Sequence, residues 1–522
     1  MKQVNKEDFT TGVFWKLCEQ FGPSIVSLIL SIVLARLLSP NDYGVLATAM
    51  IVVNFCDILV QNGFCTALIQ SKGEVNKSDY STAMTLSVIM SILLYFIVFF
   101  LSPFIAKFYK EESLTLLLRV LGTLVFFNGI AAIMNAYITK LFKFRMMFIV
   151  HMISSVSSGV LGIFMAYYGF GVWSLVAQKM FQQALFIVIL AVLLKWDFRP
   201  HYDKIRAKGI LNYGIKILTG SIIAFISDNS YGVAIGKKYS PSDLGLLTKA
   251  ETLPTSLIIV ASNSLSGVVL PTVATYQDDK EKILNSTRRI IKVATYLIFP
   301  MVVGMFSVAR PMIRVLFGAA YDGGAPLLQA LSLFFITVPT LLICGAVLKA
   351  IGKSKLYMWS EIIKMIMTII MVVSCVVFWT IPLFYLVLIK GVISCFMIVF
   401  TIFFTKKYFN YGYLKHIKDI LPAVLLSGCM YLSIWGISFA LMSLPEIVVL
   451  IIEVLLGVIV YVGLSLIFRI QSFYDIFKIV KDLLIKIFGS KHKKENKENL
   501  LQQKVNDEEA FNQEHVKEGI NE

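Results

Sequence analysis

Apolar runs of about twenty residues follow one another from Val13 to Phe468, with only short polar connections between them. No other feature constrains the chain as tightly. A helix of that length matches the thickness of a bilayer's hydrocarbon core. In lipid the backbone amides have no water to bond, so each span must satisfy them within itself. The runs lie at Val13–Leu38, Val45–Ile69, Tyr80–Phe104, Leu114–Ile138, Met147–Tyr168, Trp173–Leu194 and Ile210–Ile235, then at Gly245–Ala274, Ile290–Val308, Leu327–Ala350, Leu356–Trp379, Leu383–Phe404, Ile420–Met442 and Glu446–Phe468. The fold class expected is therefore an all-α polytopic membrane protein with about 14 transmembrane helices. With 57% of residues hydrophobic and 15% charged the chain has enough apolar sequence for them, whereas soluble domains carry roughly 25% charged residues. The first run has no small-residue cleavage site behind it and is expected to stay as a helix, not to be removed as a signal peptide.

A formal charge of +16 would suit a nucleic-acid partner in a soluble chain. Here the basic residues sit in the connections between spans, so their meaning is topological and no nucleic acid is expected. With Met1 placed in the cytoplasm, the inside loops hold groups such as Lys140, Lys143 and Arg145, then Lys195, Arg199, Lys204, Arg206 and Lys208, then Lys280, Lys282, Arg288, Arg289 and Lys292. The outside loops hold far fewer, among them Arg36, Lys107 and Lys110, Lys237 and Lys238, and Arg310 and Arg314. Cytoplasmic loops are enriched in Lys and Arg, which predicts an even number of spans with both termini inside.

An internal repeat sets the organisation. Ser39-Pro40-Asn41-Asp42-Tyr43-Gly44-Val45-Leu46 recurs 201 residues later as Ser240-Pro241-Ser242-Asp243-Leu244-Gly245-Leu246-Leu247, and the same offset sets Asn62 over Asn263. A fainter echo sets Ala136–Lys143 over Ala346–Lys353. Six spans separate the copies, an even number, so the halves share one orientation and are related by an axis along the membrane normal. The expected domains are an N-terminal six-helix lobe (1–200), a second six-helix lobe (201–410), two further helices (411–470), and a cytoplasmic amphipathic helix with a charged tail (471–522). The helix is read from a stripe of apolar residues between Phe473 and Phe488 with lysines opposite, and the tail's composition suggests disorder. Within the repeated motif, proline cannot donate to a helix ladder and Ser or Asp can cap the next helix. A turn that never touches substrate is the expected reading, with a contact to substrate as the alternative.

Motifs for chemistry are scarce. Gly352-Lys353-Ser354 lacks the upstream glycine of a phosphate loop, where Val347 stands, and ends an apolar helix instead of following a strand. Asp278-Asp279 could hold a divalent ion, but beside Lys280, Glu281 and Lys282 it reads as a solvated loop acid. Five scattered histidines and seven cysteines without C-x-x-C spacing give no metal or disulfide framework, and no hydrolase or zinc-protease motif occurs. No enzyme activity and no cofactor are expected.

Ionisable groups inside the spans carry more information, because each costs about 2.5–3.5 kcal/mol at the membrane centre on insertion scales. They are Lys16 and Glu19, Asp57, Arg119, Lys179, Lys216 and Asp228, Lys249 and Glu251, Glu361 and Lys364, Lys390, and Glu453. Groups of this kind face a cavity or each other. Lys16, Lys216, Lys249 and Arg119 are the candidates for holding an anionic headgroup such as a diphosphate. Glu19, Asp57, Asp228 and Glu251 are the candidates for ion coupling or for cavity salt bridges. Pairs such as Lys16 with Glu19 equally read as salt bridges within one helix.

Several segments together resemble one family. They are Val33-Leu34-Ala35-Arg36-Leu37-Leu38-Ser39-Pro40-Asn41-Asp42-Tyr43-Gly44, then Ala67-Leu68-Ile69-Gln70-Ser71-Lys72, Leu141-Phe142-Lys143-Phe144, Leu270-Pro271-Thr272-Val273-Ala274-Thr275-Tyr276-Gln277-Asp278-Asp279, and Val315-Leu316-Phe317-Gly318 followed by Pro326-Leu327-Leu328-Gln329. From about Phe9 to Tyr408 the chain resembles the Wzx-type polysaccharide exporters, of the lipopolysaccharide, colanic acid and teichuronic acid branch, in the multidrug/oligosaccharidyl-lipid/polysaccharide flippase superfamily. The resemblance implies fourteen helices in a V-shaped pair of lobes in the bacterial cytoplasmic membrane. It implies flipping of an undecaprenyl-diphosphate-linked oligosaccharide, with glycan polymerases or other assembly proteins as possible partners, and it fixes no individual substrate residue. An ion-coupled multidrug or small-molecule antiporter shares the fold; the abundance of cationic candidates argues against a cationic drug.

Overall fold

The computed structural model describes residues 6–70, 77–141, 143–194, 203–259, 261–262, 269, 273, 279–377, 381–441 and 443–478, with side chains at all of these but 6–14, 17, 62–70, 77–78, 204–217, 354 and 376–377. Helix dominates throughout. In the first half come α1 (Lys6–Leu37), α2 (Pro40–Gln70), α3 (Lys77–Tyr109), α4 (Ser113–Leu121), α5 (Thr123–Lys140), α6 (Phe144–Tyr167) and α7 (Val172–Leu194). The second half continues with α8 (Lys204–Lys238), α9 (Pro241–Pro254), α10 (Lys280–Ser307), α11 (Ala309–Phe317), α12 (Gly324–Phe335), α13 (Val338–Ala350), α14 (Ser354–Val377) and α15 (Leu383–Phe409), followed by α16 (Tyr413–Ser438) and α17 (Glu446–Ile467).

Among the described residues twelve segments are long and apolar enough to cross a membrane. They coincide with twelve of the expected runs. The other two, Ile210–Ile235 and Gly245–Ala274, fall partly outside the description: α8 spans the former, but its side chains up to residue 217 are not described, and much of the latter beyond Ile259 is not described either. The structure therefore does not establish a count of fourteen.

Two spans are broken where a single helix was expected. Residues 113–140 divide at Gly122 into α4 and α5. The run Leu327–Ala350 divides near Ile336 and Thr337 into α12 and α13, because Pro339 sits in the first turn of α13 and has no amide to continue the ladder. The connection from Arg310 to Ala325, read as a loop, is the short helix α11 with Ala309, Ile313 and Phe317 buried, followed by a 3₁₀ turn.

The repeated motif forms the same structure twice. Ser39 and Asp42 cap each other's backbone amides at the start of α2 (3.0 and 3.3 Å), and Ser240 and Asp243 do so at the start of α9 (both 3.1 Å). These ends then cross. A Cβ on Gly44 would fall on the Pro241 carbonyl, and one on Gly245 on the Pro40 carbonyl. Glycine is required at both places because only a bare backbone lets α2 and α9 approach so closely.

Packing follows from this crossing. In the first half α1 lies on α6, α6 on α7, and α5 on α2 and α3; in the second α10 lies on α16, α12 on α15 and α14 on α8, while α2 joins the halves through α8 and α9. One buried cluster runs through both halves, from Leu34 and Val53 to Leu247 and Ile313. Two smaller clusters stay within one half each, around Met134 and Phe186 and around Ile343 and Phe409. On α16, buried Asp419 accepts two bonds of 2.8 Å from Arg288 of α10 and lies 3.4 Å from Lys292.

The chain divides into a unit ending at Tyr461 and a second beginning at Val462. In the second, helix runs to Ile467 and resumes at 471–478, with Phe473 stacked on Phe477 at 6.4 Å. Residues 479–488 of the expected amphipathic helix, and the tail after them, lie outside the description.

Candidate functional site

Between the halves, towards the Ser-Pro ends of α2 and α9, lies a cavity of about 540 Å³. Polar side chains enter it from helices that are otherwise apolar. Among them are three lysines and two carboxylates: Lys179 from α7, Asp228 from α8, Lys249 and Glu251 from α9, and Lys390 from α15.

Both carboxylates are already paired. Lys390 lies 2.8 Å from Glu251, and Lys364 of α14 lies 3.2 Å from Asp228 and 3.5 Å from Glu361. Lys179 and Lys249 therefore face the cavity with no carboxylate partner among the described residues. Lys249 is 2% exposed and donates to the Ser31 hydroxyl (2.7 Å) and carbonyl (3.3 Å), with its ammonium 3.4 Å from the Tyr43 ring centroid. These neutral partners orient the ammonium without cancelling its charge. Two buried hydroxyls on the cavity wall, those of Tyr43 and Tyr231, lack a hydrogen-bond partner among the described residues. Gln178 and Gln182 add amide groups from α7, the latter donating to Ser155 at 3.0 Å. Poorly screened ammonium groups attract an anion strongly, at about 4 kcal/mol per unit charge at 4 Å for an effective dielectric near 20. The arrangement suits an anion that is also rich in hydroxyls.

The other sequence candidates lie elsewhere. Lys16 is paired with Glu19 at 2.5 Å along α1 and sits over the Phe144 ring, and neither residue lines the cavity. Arg119 of α4 turns to the Ser102 hydroxyl of α3 (3.3 Å) and the Phe99 ring (4.4 Å), also away from the cavity. Asp57 accepts from Asn128 of α5 at 2.7 Å, inside the first half. Lys216 lies on α8, and its side chain is outside the description. Asp228, Lys249 and Glu251 are the candidates that the fold brings together. Away from the cavity, Asp279 caps α10 by accepting from the amides of Glu281 (3.1 Å) and Lys282 (3.0 Å), and the Lys282 amide foremost holds its carboxyl below the usual range. Its neighbour Asp278 lies outside the description. His151 stacks on Phe186, and His416 pairs with the Tyr411 hydroxyl at 3.0 Å.

Sequence reasoning named Lys179 and Lys390 as intramembrane charges without placing them at the site, and it missed Tyr43, Tyr231, Gln178 and Gln182. One signal was available: Gln178, Lys179 and Gln182 fall within a single helical turn of an apolar run, a polar face that lipid would not tolerate.

The halves meet along the Ser-Pro side of the cavity. Arg36 donates to the carbonyls of Val315 and Leu316 at the end of α11 and the Tyr321 hydroxyl donates to Leu38 (3.0 Å), both across the halves, while the Tyr239 hydroxyl donates to Ile381 (2.6 Å) within the second half. The Arg36 and Tyr321 contacts tie the halves together at that end of the cavity.

A bundle of apolar helices whose two halves enclose a polar cavity is the architecture of a multi-pass membrane transporter. The profile of the family described as polysaccharide biosynthesis protein matches residues 33–326, more than half of the chain, and the chain belongs to that family. It is 25% identical over 365 residues to the succinoglycan biosynthesis transport protein ExoT of Rhizobium meliloti (70% of this chain, 74% of the relative). It is 22% identical over 364 residues to the teichuronic acid biosynthesis protein TuaB of Bacillus subtilis (69% and 75%). Among solved structures, the lipid II flippase MurJ in an inward closed conformation superposes with a TM-score of 0.71 at 16% identity, covering 88% of this chain and 99% of that one. An inward-facing multidrug resistance transporter of the MATE family gives 0.58 at 15% identity, covering 74% and 94%.

Proposed function

We propose that the protein moves a lipid-linked oligosaccharide, carried on undecaprenyl diphosphate, from the inner to the outer leaflet of the bacterial cytoplasmic membrane, and that its product passes to a glycan polymerase or another assembly protein. The observation that carries this reading is the pair of cavity lysines, Lys179 and Lys249, without carboxylate partners. A diphosphate supplies the missing counter-charge, and the tyrosine hydroxyls and glutamine amides suit the first sugars. Relatives named for succinoglycan transport and for teichuronic acid biosynthesis support a saccharide cargo.

The basic connections support a topology with both termini in the cytoplasm and the Ser-Pro ends outside. With the halves tied together at those ends, this is then the form that receives cargo from the cytoplasmic side. Parting of the latch formed by Arg36 and Tyr321, with closure at the opposite end, turns it outward. A cation antiporter fits less well, since a cationic drug would meet two uncompensated ammonium groups and both cavity acids are already bound to lysines.

The test is deletion of the gene in its own host. Lipid-linked repeat units accumulate at the cytoplasmic face and surface glycan disappears, and both effects reverse with the wild-type gene but not with Lys249→Gln. Normal surface glycan without accumulation refutes the proposal, and cation-driven dye uptake by proteoliposomes that flip no lipid-linked sugar replaces it with the antiporter.

A further inference from the structure

A second concavity lies on the other side of the seam where α2 meets α8. It is a groove of about 400 Å³ lined by α2, α3 and α8, and its walls are aromatic and aliphatic, with Phe55, Phe104, Phe108 and Phe225 prominent. The Phe55 and Phe225 rings are 5.5 Å apart, while Phe104 and Phe108 are 71% and 48% exposed. The polar cavity and this apolar groove are close neighbours. Ile51 lines both, and its Cδ1 lies 2.9 Å from the place a Cβ would take on Gly232, so the wall between them there is a single side chain against bare backbone.

The ends of the groove differ in character. Phe225 stands about 20 Å along α8 from Lys238, by the rise of an α-helix, so the groove runs from the middle of α8 toward its Ser-Pro end. There Lys237 holds its ammonium 4.2 Å from the Phe108 ring centroid and donates to the Phe108 carbonyl. It has no carboxylate partner among the described residues. An apolar trough ending at a cation at the membrane surface complements an amphiphile with a long apolar chain and an anionic group.

Resting on the reading of the cargo as lipid-linked, we infer that this groove is the outer-leaflet docking site for the carrier lipid, its isoprenoid chain along Phe225, Phe104 and Phe108 and its phosphate at Lys237. The α2–α8 seam at Ile51 and Gly232 is then the lateral exit through which the headgroup follows its tail out of the cavity. Head and tail need separate environments at the same time, polar and apolar, and the structure supplies the two side by side.

The experiment uses the full chain in proteoliposomes with a diazirine-bearing polyprenyl diphosphate, and the labelled peptides are mapped by mass spectrometry. Labelling is expected on α3 around Phe104–Phe108 and on α8 around Phe225, competed by unlabelled polyprenyl diphosphate and not by equimolar phosphatidylglycerol. Lys237→Gln is expected to lower groove labelling at least fivefold while labelling of cavity peptides around Lys249 persists, and Lys237→Arg to retain most of the groove signal. Equal competition by phosphatidylglycerol makes the groove a seat for bulk lipid and overturns the inference. So does cavity labelling without groove labelling, which leaves the functional proposal standing. Absence of labelling at both places refutes the two together.

Discussion

Lys249 concentrates the residue-scale argument, because it is buried, oriented by Ser31 and Tyr43, and has no acid to neutralise it. Lys249→Gln keeps much of the length and removes the charge. A hydrogen bond to a charged group contributes about 1.5–3 kcal/mol, so polyprenyl-diphosphate binding to the purified protein is expected to weaken at least tenfold with little loss of thermal stability. Lys390 is the contrast. Lys390→Gln strands Glu251 inside the membrane, and leaving a buried charge unpaired costs about 3 kcal/mol or more. The melting temperature in detergent is expected to fall and to recover in the double variant with Glu251→Gln. At Lys16 the partner lies three residues away on the same helix, and pairs of that spacing contribute about 0.2–0.5 kcal/mol. Lys16→Gln with Glu19→Gln is therefore expected to export glycan at near wild-type levels, and a loss of export would return Lys16 to the site.

At the scale of elements, the crossing of α2 and α9 is the contact least able to adapt. A side chain can rotate away from an added methyl, but the Pro241 and Pro40 carbonyls cannot, since each belongs to the first turn of a capped helix. Gly44→Ala or Gly245→Ala is expected to abolish the monodisperse peak in size-exclusion chromatography. Gly428→Ala in α16, where nothing lies within 4 Å of the new Cβ, is expected to be neutral or to stabilise by up to about 1 kcal/mol. The pair of α10 and α16 depends similarly on Asp419, whose bidentate bond to Arg288 fixes their register.

For the whole molecule the question is which end of the cavity opens. Arg36 and Tyr321 latch the Ser-Pro end across the halves, and each of their bonds is lost when the halves part there. Arg36→Ala with Tyr321→Phe removes both contacts. At about 1–2 kcal/mol in total, the outward-open share is expected to rise roughly five- to thirtyfold. In a background without native cysteines, Ala47→Cys on the cavity wall reports this as faster reaction with a membrane-impermeant thiol reagent added outside. An unchanged rate would mean that these bonds do not hold the gate.

The apolar runs, the loop charges and the repeated Ser-Pro motif determined a helical membrane protein before any contact was known, because lipid leaves a backbone no other way to satisfy its amides. Even the capping boxes were legible, since caps are local. What the sequence left open was partnership. Lys16 and Lys249 look alike as charges in apolar runs, yet one pairs three residues away and the other reaches a cavity formed with a helix more than two hundred residues distant. The breaks at Gly122 and before Pro339, the glycine crossing and the adjoining aromatic groove belong to the same class. They depend on which helix faces which, and that was decided by packing across the two halves, where surfaces remote in the chain must fit at van der Waals distance.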